Sequence, residues 1–187
     1  MNATNNESAT ELASTVPTPL DQRLFRRVMG HFATGVTVIT TTVDDEIYGM
    51  TANAFMAGSL EPMLCVVSIN RTAQMHQRLT ASGHYGVSFL SQHQQHLSGH
   101  FAGHRHVSVS VAPEFVYRGK TPIVHRAVAA VTADIVDVAA CGDHTLFIGK
   151  ITHLEAASHQ PLLFYAGRYA TIESQDPIEE SERLEFW

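Results

Sequence analysis

The sequence lacks most of the features that would place it in a special class. Its two cysteines, Cys65 and Cys141, stand far apart and in no metal-ligand spacing. That excludes a disulfide framework or a zinc knuckle and leaves reduced core thiols, the usual state in a cytoplasm. No apolar run approaches the length a membrane helix needs. Basic residues are scarce: 12 Lys and Arg face 18 Asp and Glu, for a net charge of −6. Most of that charge sits in the tails, with six acids against Arg183 in 171–187 and only Glu7 and Glu11 charged in 1–20. The body between is close to neutral and holds all 12 histidines. It has no field for capturing DNA or RNA, although a nucleotide-sized anion needs only a local site. Missing too is a Gly-x-Gly-x-x-Gly run after the first strand-like segment, which argues against a Rossmann site.

What remains is a 187-residue chain, 44% hydrophobic, of a size for one domain with tails. Residues 1–20 are rich in Ser, Thr, Asn and Pro, with no base and no apolar block, so they read as a disordered segment rather than a secretory or transit signal. Residues 21–172 form the expected domain, and 173–187 an acidic tail that ends in Leu184, Phe186 and Trp187 and is expected to lie free of the fold. Asp21 can cap a first helix in which Leu24, Phe25, Val28, Met29 and Phe32 recur at helical spacing. "VTVITTTV", "IYGMTANAF", "MLCVVSI" and "HYGVSFLS" read as strands, the first two as a hairpin. "RTAQMHQRLTASG" reads as a helix with Thr72 as cap and Gly83 as stop, and "QHQQHLSGHFAG" as a short polar helix. Residues 104–122 read as loop; two long strands meeting at "GD" and a final "PLLFYAGRYATI" follow. Six or more strands with only short helices predict a mainly β fold, an antiparallel barrel with peripheral helices.

Four stretches can carry chemistry. In "GMTANAFMAGSLEP" the strand turns small and polar at Thr51, Ala52, Asn53 and Ala54, with Ser59 beyond. Either it bends over Gly and Ala at a barrel corner, or it leaves room for a flat ligand against its backbone. In "INRTAQMH" a strand gives way to a helix at Asn70, Arg71 and Thr72, so free N–H groups and a guanidinium can meet a phosphate; an exposed Arg beside an ordinary cap is the plainer reading. "CGDHTLFIG" places His144 at a turn tip, suited to hydrogen bonding or proton transfer, with Asp143 holding the turn. His93, His96 and His100 fall on one helix face, but no Asp, Glu or Cys completes a ligand set, so a solvated face is expected and no metal is assigned.

"FRRVMGHFATGVTVIT", "GMTANAFMAGSLEP", "HQQHLSGHFAG", "GDHTLFIGKI" and "PLLFYAGRY" occur in an order that resembles the flavin reductase-like family, the small reductase components of two-component flavin monooxygenases. The resemblance spans about residues 22–170. It implies an FMN-binding split β-barrel, a homodimer with sites near the subunit interface, and reduction of FMN, or FAD or riboflavin, by NADH or NADPH. It implies that Thr51, Ala52, Asn53 and Ala54 line the flavin and that Ser59 sits in a loop around its ribityl side. Asn70, Arg71 and Thr72 match the phosphate-side segment, His144 the active-site histidine near the nicotinamide, and Arg168 and Tyr169 the "GRY" that nears the pocket. The pattern departs at Met56, at Glu61-Pro62-Met63, and at Ala73 and Met75, where hydroxyl residues are usual. The expected activity is therefore a cytoplasmic flavin reductase supplying reduced flavin by diffusion to a separate monooxygenase. The alternatives are a flavin- or haem-binding carrier or sensor on the same barrel, or a related oxidase acting directly on a small substrate.

Overall fold

Alternation of inward and outward side chains along consecutive antiparallel strands builds the molecule, a computed structural model that describes residues 20–103 and 112–173. The expected disorder of the N-terminal segment, the acidic tail with its apolar tip, and His104 and His106 lie outside the described residues. In chain order the elements are α1 (Gln22–Met29), β1 (Thr34–Gly35), β2 (Thr37–Val43), β3 (Glu46–Ala52), β4 (Phe55–Leu60), β5 (Met63–Asn70), α2 (Gln74–Ser82) and β6 (His84–Phe89). A 3₁₀ turn (Gln92–Gln94) then leads into α3 (Gln95–Phe101), followed by β7 (Phe115–Arg118), β8 (Thr121–Val124), β9 (Ala129–Cys141), β10 (His144–Ala156), β11 (Leu163–Tyr165) and β12 (Arg168–Ala170). No helix among the described residues is long and apolar enough to cross a membrane.

Seven strands form one antiparallel sheet in the order β3-β2-β6-β9-β10-β5-β4. Its two edge strands, β3 and β4, are consecutive in the chain and joined only by Asn53 and Ala54. The sheet therefore curls until its edges meet at that link, yet no ladder closes the seam: a barrel split along one side. Every strand sends side chains to one interior. Ile39, Cys65, Val67, Ile69, Tyr85, Val87, Val131, Ala133 and Phe147 are buried there with Met75 and Leu79 of α2, and Tyr48, Met50, Ala52 and Phe55 of the seam strands pack on them. A second cluster, Val36, Val38, Leu90, Leu97, Val124 and Leu162, lies on the other face of β2, under α3 and the small β1-β11-β12 sheet. Covered on both faces, β2 bonds two of its threonines to main chain, Thr37 Oγ1 to the Ala52 carbonyl (2.7 Å) and Thr41 Oγ1 to the His84 carbonyl (2.8 Å), whereas the Thr42 hydroxyl finds no partner among the described residues.

Three expectations are corrected. "IYGMTANAF" is not one strand: pairing stops at Ala52 and resumes at Phe55 with a different neighbour, because the chain steps from one sheet edge to the other. Thr72 does not cap α2; the cap position is Ala73, and Thr72 Oγ1 donates to Asn70 Oδ1 instead (2.7 Å). The loop expected over 104–122 contains the start of the β7-β8 hairpin, short and polar enough at its turn to escape a periodicity test. Asp21 does cap α1, accepting from the Leu24 amide (2.6 Å), but no residue of the helix is buried: Phe25 is 65% exposed, as is Phe32 beyond it at 70%.

A buried histidine gives the barrel a pH-dependent stability. His84 is 5% exposed and bonded through Nδ1 to Thr121 Oγ1 (2.9 Å). Burial, and then the nearby Lys120, hold its pKa below the ordinary 6.5, with Asp134 opposing them. The unfolded chain thus takes up a proton before the folded one, so this contribution is complete above the unfolded value and is lost as pH falls below it. The denaturation midpoint is expected to drop between about pH 7.5 and about pH 5.5, a range in which ordinary carboxylates stay ionised. His84→Asn, which cannot take up the proton, is expected to flatten that part of the profile.

Candidate active site

The seam strand decides the site. Tyr48, Met50 and Ala52 of β3 point into the core, so Gly49, Thr51 and Asn53 face outward. Because β3 is an edge strand, its main-chain groups on the side away from β2 have no strand partner among the described residues. Helix α3 crosses this outer face at close range. The Thr51 hydroxyl donates to the Ser98 carbonyl (2.7 Å), and the Tyr169 hydroxyl donates to Ser98 Oγ (2.9 Å). A Cβ on Gly49 would come within 2.5 Å of the Phe101 ring, so only glycine allows the approach.

Beside these contacts lie two neighbouring hollows that share Ala102 in their walls, together called the cleft. One, of about 260 Å³, is lined by Thr51, Ala52 and Asn53 with Val36, Ser98, Phe164 and Tyr169. The other, of about 210 Å³, lies further back along β3 against Tyr48, Gly49, Met50, Phe101 and the α2 residues Gln74, Met75 and Arg78. Ala102 lines both. Small residues, Thr51, Ala52 and Asn53, therefore line one end, and the cation Arg78 lines the other. The Arg78 guanidinium carbon lies 3.9 Å above the centre of the Tyr48 ring, while Tyr48 donates its hydroxyl to Glu46 (2.7 Å). That bond is the main reason the phenol's pKa lies above its usual range, so the ring stays neutral beneath the cation. Arg78 has no ion pair among the described residues.

A second constellation forms where β5 and β10 end side by side, His144 opposite Asn70. Asn70 Oδ1 accepts from the Thr72 amide (2.8 Å) and hydroxyl, and the Arg71 amide donates to the Asp143 carbonyl (3.0 Å). Asp143 Oδ1 lies 2.7 Å from His144 Nδ1, and that hydrogen bond holds the carboxyl below its usual pKa. Nδ1–H therefore donates to Asp143, leaving Nε2 as the free ring nitrogen.

Thr51, Ala52, Asn53 and Tyr169 thus line the cleft together, with Ala54 beside them, its carbonyl tied to the Ser68 amide. Asn70, Arg71, Thr72 and His144 gather in the second cluster, which leads into α2 but does not itself line the cleft. Arg168 is exposed on β12, next to Tyr169. Ser59 departs from the expectation of a loop: it lies in β4 beside a bulge, opposite Leu64, at the end of β5 far from Asn70. The sequence reading missed Ser98, Phe101, Ala102, Phe164, Gln74, Met75 and Arg78. The one local signal was the pair of small residues Ser98 and Ala102, a helical turn apart on a helix read as merely polar.

The fold is thus a split barrel whose seam strand lines a narrow cleft. The chain belongs to the flavin reductase-like family, whose domain model, "Flavin reductase like domain", matches residues 29–173. It is similar to an NADH-dependent flavin reductase of a Rhodococcus species, 39% identical over 170 residues that cover 89% of this chain and 93% of that one. It also resembles the reductase subunit HsaB of a flavin-dependent monooxygenase from Mycobacterium tuberculosis, 33% identical over 162 residues, 83% of this chain and 85% of the relative. Among solved structures, flavin reductase PheA2 in its native state superposes with a TM-score of 0.79 at 44% identity, covering 83% of this chain and all of that one.

Proposed function

We propose that this chain is an NADH-dependent flavin reductase that supplies reduced flavin to a separate monooxygenase, with the flavin lying along β3. The observation that carries the placement is the cleft itself: an edge strand with small outward residues, unpaired main-chain groups and a cation at one end. The ring system fits where Thr51, Ala52 and Asn53 make the floor, and the ribityl phosphate fits toward Arg78. FMN, with a single phosphate toward the half-buried Arg78, suits the cleft. When bound, the flavin supplies the redox chemistry, accepting a hydride from the nicotinamide ring. The chain's part is orientation. Thr51 and Tyr169, both tied to Ser98, fix the wall against the floor, and Asn53 offers an amide to the ring edge. Support for NADH and for a monooxygenase partner comes from the relatives above, and delivery by diffusion suits a cleft open to solvent. Free Cys65 and Cys141 agree with a reducing, cytoplasmic setting.

The test is NADH oxidation by the purified protein with and without FMN, FAD and riboflavin. Turnover that requires added flavin is the expected result. Tight flavin binding without NADH oxidation would make the chain a carrier instead.

His144 is given the nicotinamide side, since Asp143 leaves its Nε2 free to donate or accept near a carboxamide. His144→Ala is expected to slow flavin reduction or weaken NADH binding about tenfold, the worth of one good hydrogen bond to a polar ligand. Flavin affinity is expected to stay within about twofold. Stopped-flow reduction at saturating flavin separates the two; an unchanged rate and NADH affinity would leave His144 a turn residue.

A homodimer completes the reading, since monomers rarely leave such apolar surface in water. The exposed side chains of α1 (Phe25, Val28, Met29), Phe32 beyond it, and Met56, Leu60 and Met63 on β4 and β5 are the surfaces it would bury. Light scattering is expected to give twice the chain mass, and Leu60→Asp or Phe25→Asp to shift it toward the monomer. A monomeric parent protein would remove this part of the proposal.

A further inference from the structure

A cavity of about 460 Å³ shares no lining residue with the cleft proposed for the flavin. Helix α3 lies between them, giving His96 and Leu97 to this cavity and Ser98 and Ala102 to the cleft. The walls are tied to one another by hydrogen bonds. The buried Gln94 amide accepts from the Ser91 N–H (3.0 Å) and donates to the His125 carbonyl (2.8 Å). The His125 amide donates to the Glu114 carbonyl (2.9 Å), and the Gln92 amide to that of Gln160 (2.9 Å). A cavity braced in this way exists before any ligand arrives, and its volume is in the range of small-molecule sites.

Its chemistry is one-sided. His93 and His96, from the histidine row noted in the sequence, line it with His125 and His159 from distant parts of the chain, and Arg126 follows His125. Among the described residues, one carboxylate, Glu114, lines the cavity with these five nitrogen-bearing groups. No arrangement of three or more His, Cys, Asp or Glu among the described residues can hold a metal ion, so the imidazoles are hydrogen-bonding groups here. Arg126 is exposed and forms no ion pair among the described residues, and its φ of 61° is left-handed, uncommon for a residue other than glycine. Part of the lining is apolar, with Leu97, 5% exposed, and Pro113.

We propose that this cavity binds a small ring-bearing organic anion, a carboxylate or a phosphate. Arg126 takes the charged group through its planar fork, the histidines share its remaining oxygens, and Leu97 and Pro113 hold the apolar body. The site is separate from the flavin and nicotinamide positions, although a ligand in it rests on the helix that also walls the cleft.

Benzoate, phenyl phosphate and neutral benzamide serve as probes, titrated by calorimetry into the full-length protein at saturating FMN. Benzoate or phenyl phosphate is expected to bind saturably, and the tighter of the two identifies the carboxylate or phosphate class. Arg126→Gln is expected to weaken that binding about tenfold or more, the effect of one charge-assisted contact, while flavin-dependent NADH oxidation stays at the parent level. If Arg126→Gln does not fold, Arg126→Lys and His159→Gln carry the same comparison. The proposal falls if neither anion saturates, if the variants bind as the parent does, or if benzamide binds as tightly as benzoate. It also falls if inorganic phosphate binds as tightly as phenyl phosphate, or if NAD⁺ displaces the probe, since the cavity would then belong to the nicotinamide.

Discussion

Gly49→Val is expected to lose flavin binding by tenfold or more while the barrel still folds. The Cβ alone would lie 2.5 and 2.6 Å from two carbons of the Phe101 ring, far inside contact distance. Either the ring or the end of α3 must give way, and Ala102, the next residue, lines both halves of the cleft. Overpacking of this kind costs about 1–3 kcal/mol. On stability that cost is partly offset, because valine favours a strand more than glycine does by up to about 1 kcal/mol. Flavin binding has no such offset: one turn of helix is pushed from the wall or into the space the ligand needs. Flavin fluorescence titration and urea denaturation of the same variant make the comparison. Phe101→Ala placed in the Gly49→Val background should recover part of the affinity, since the clash is pairwise and a double-mutant cycle reports it. An affinity equal to that of the parent would mean that β3 is not the floor of the site.

That glycine shows how far the sequence could be read. The change from β-branched to small residues at Thr51–Ala54 marked the stretch, and a corner and a ligand floor were posed as alternatives. The corner is there, since the chain turns from one sheet edge to the other at Asn53 and Ala54, and Thr51, Ala52 and Asn53 also line the cleft in which the ligand is proposed to lie. Local signals were likewise sufficient for the β2-β3 hairpin, the Asp21 cap and the Gly142-Asp143 turn, since each depends on residues within a few positions of one another. What could not be read was set by packing over long separations. The Thr51 hydroxyl finds the Ser98 carbonyl 47 residues away, and the Tyr169 hydroxyl meets the Ser98 side chain 71 residues away. Neither pairing leaves a trace in periodicity, and the same holds for His93 and His96 lining one cavity with His125 and His159. The cations show the limit most plainly. Spacing marked Arg71, whose amide is tied to the Asp143 turn, whereas Arg78, seven residues further on, lines the cleft with no local signal to mark it.

Arg78→Gln separates these two cations by what each would recognise. If the flavin phosphate rests on Arg78, the variant loses one charge-assisted contact with FMN, worth about 1.5–3 kcal/mol, or about ten- to a hundredfold in affinity or KM. Riboflavin carries the same ring and ribityl chain without the phosphate, so its KM should move less than about twofold. The glutamine can still lie across Tyr48, which keeps that end of the cleft covered and limits the change to the charge. Arg71→Gln is the counterpart. The structure ties its backbone to Asp143 but lines the cleft with none of its atoms, so FMN and riboflavin should both respond as the parent does. Steady-state NADH oxidation with each flavin in turn provides all four values. Equal losses for FMN and riboflavin in Arg78→Gln would show damage to the cleft rather than a missing phosphate partner. A selective FMN loss in Arg71→Gln instead would move the phosphate to the β5-α2 junction, and with it the direction in which the flavin lies along β3.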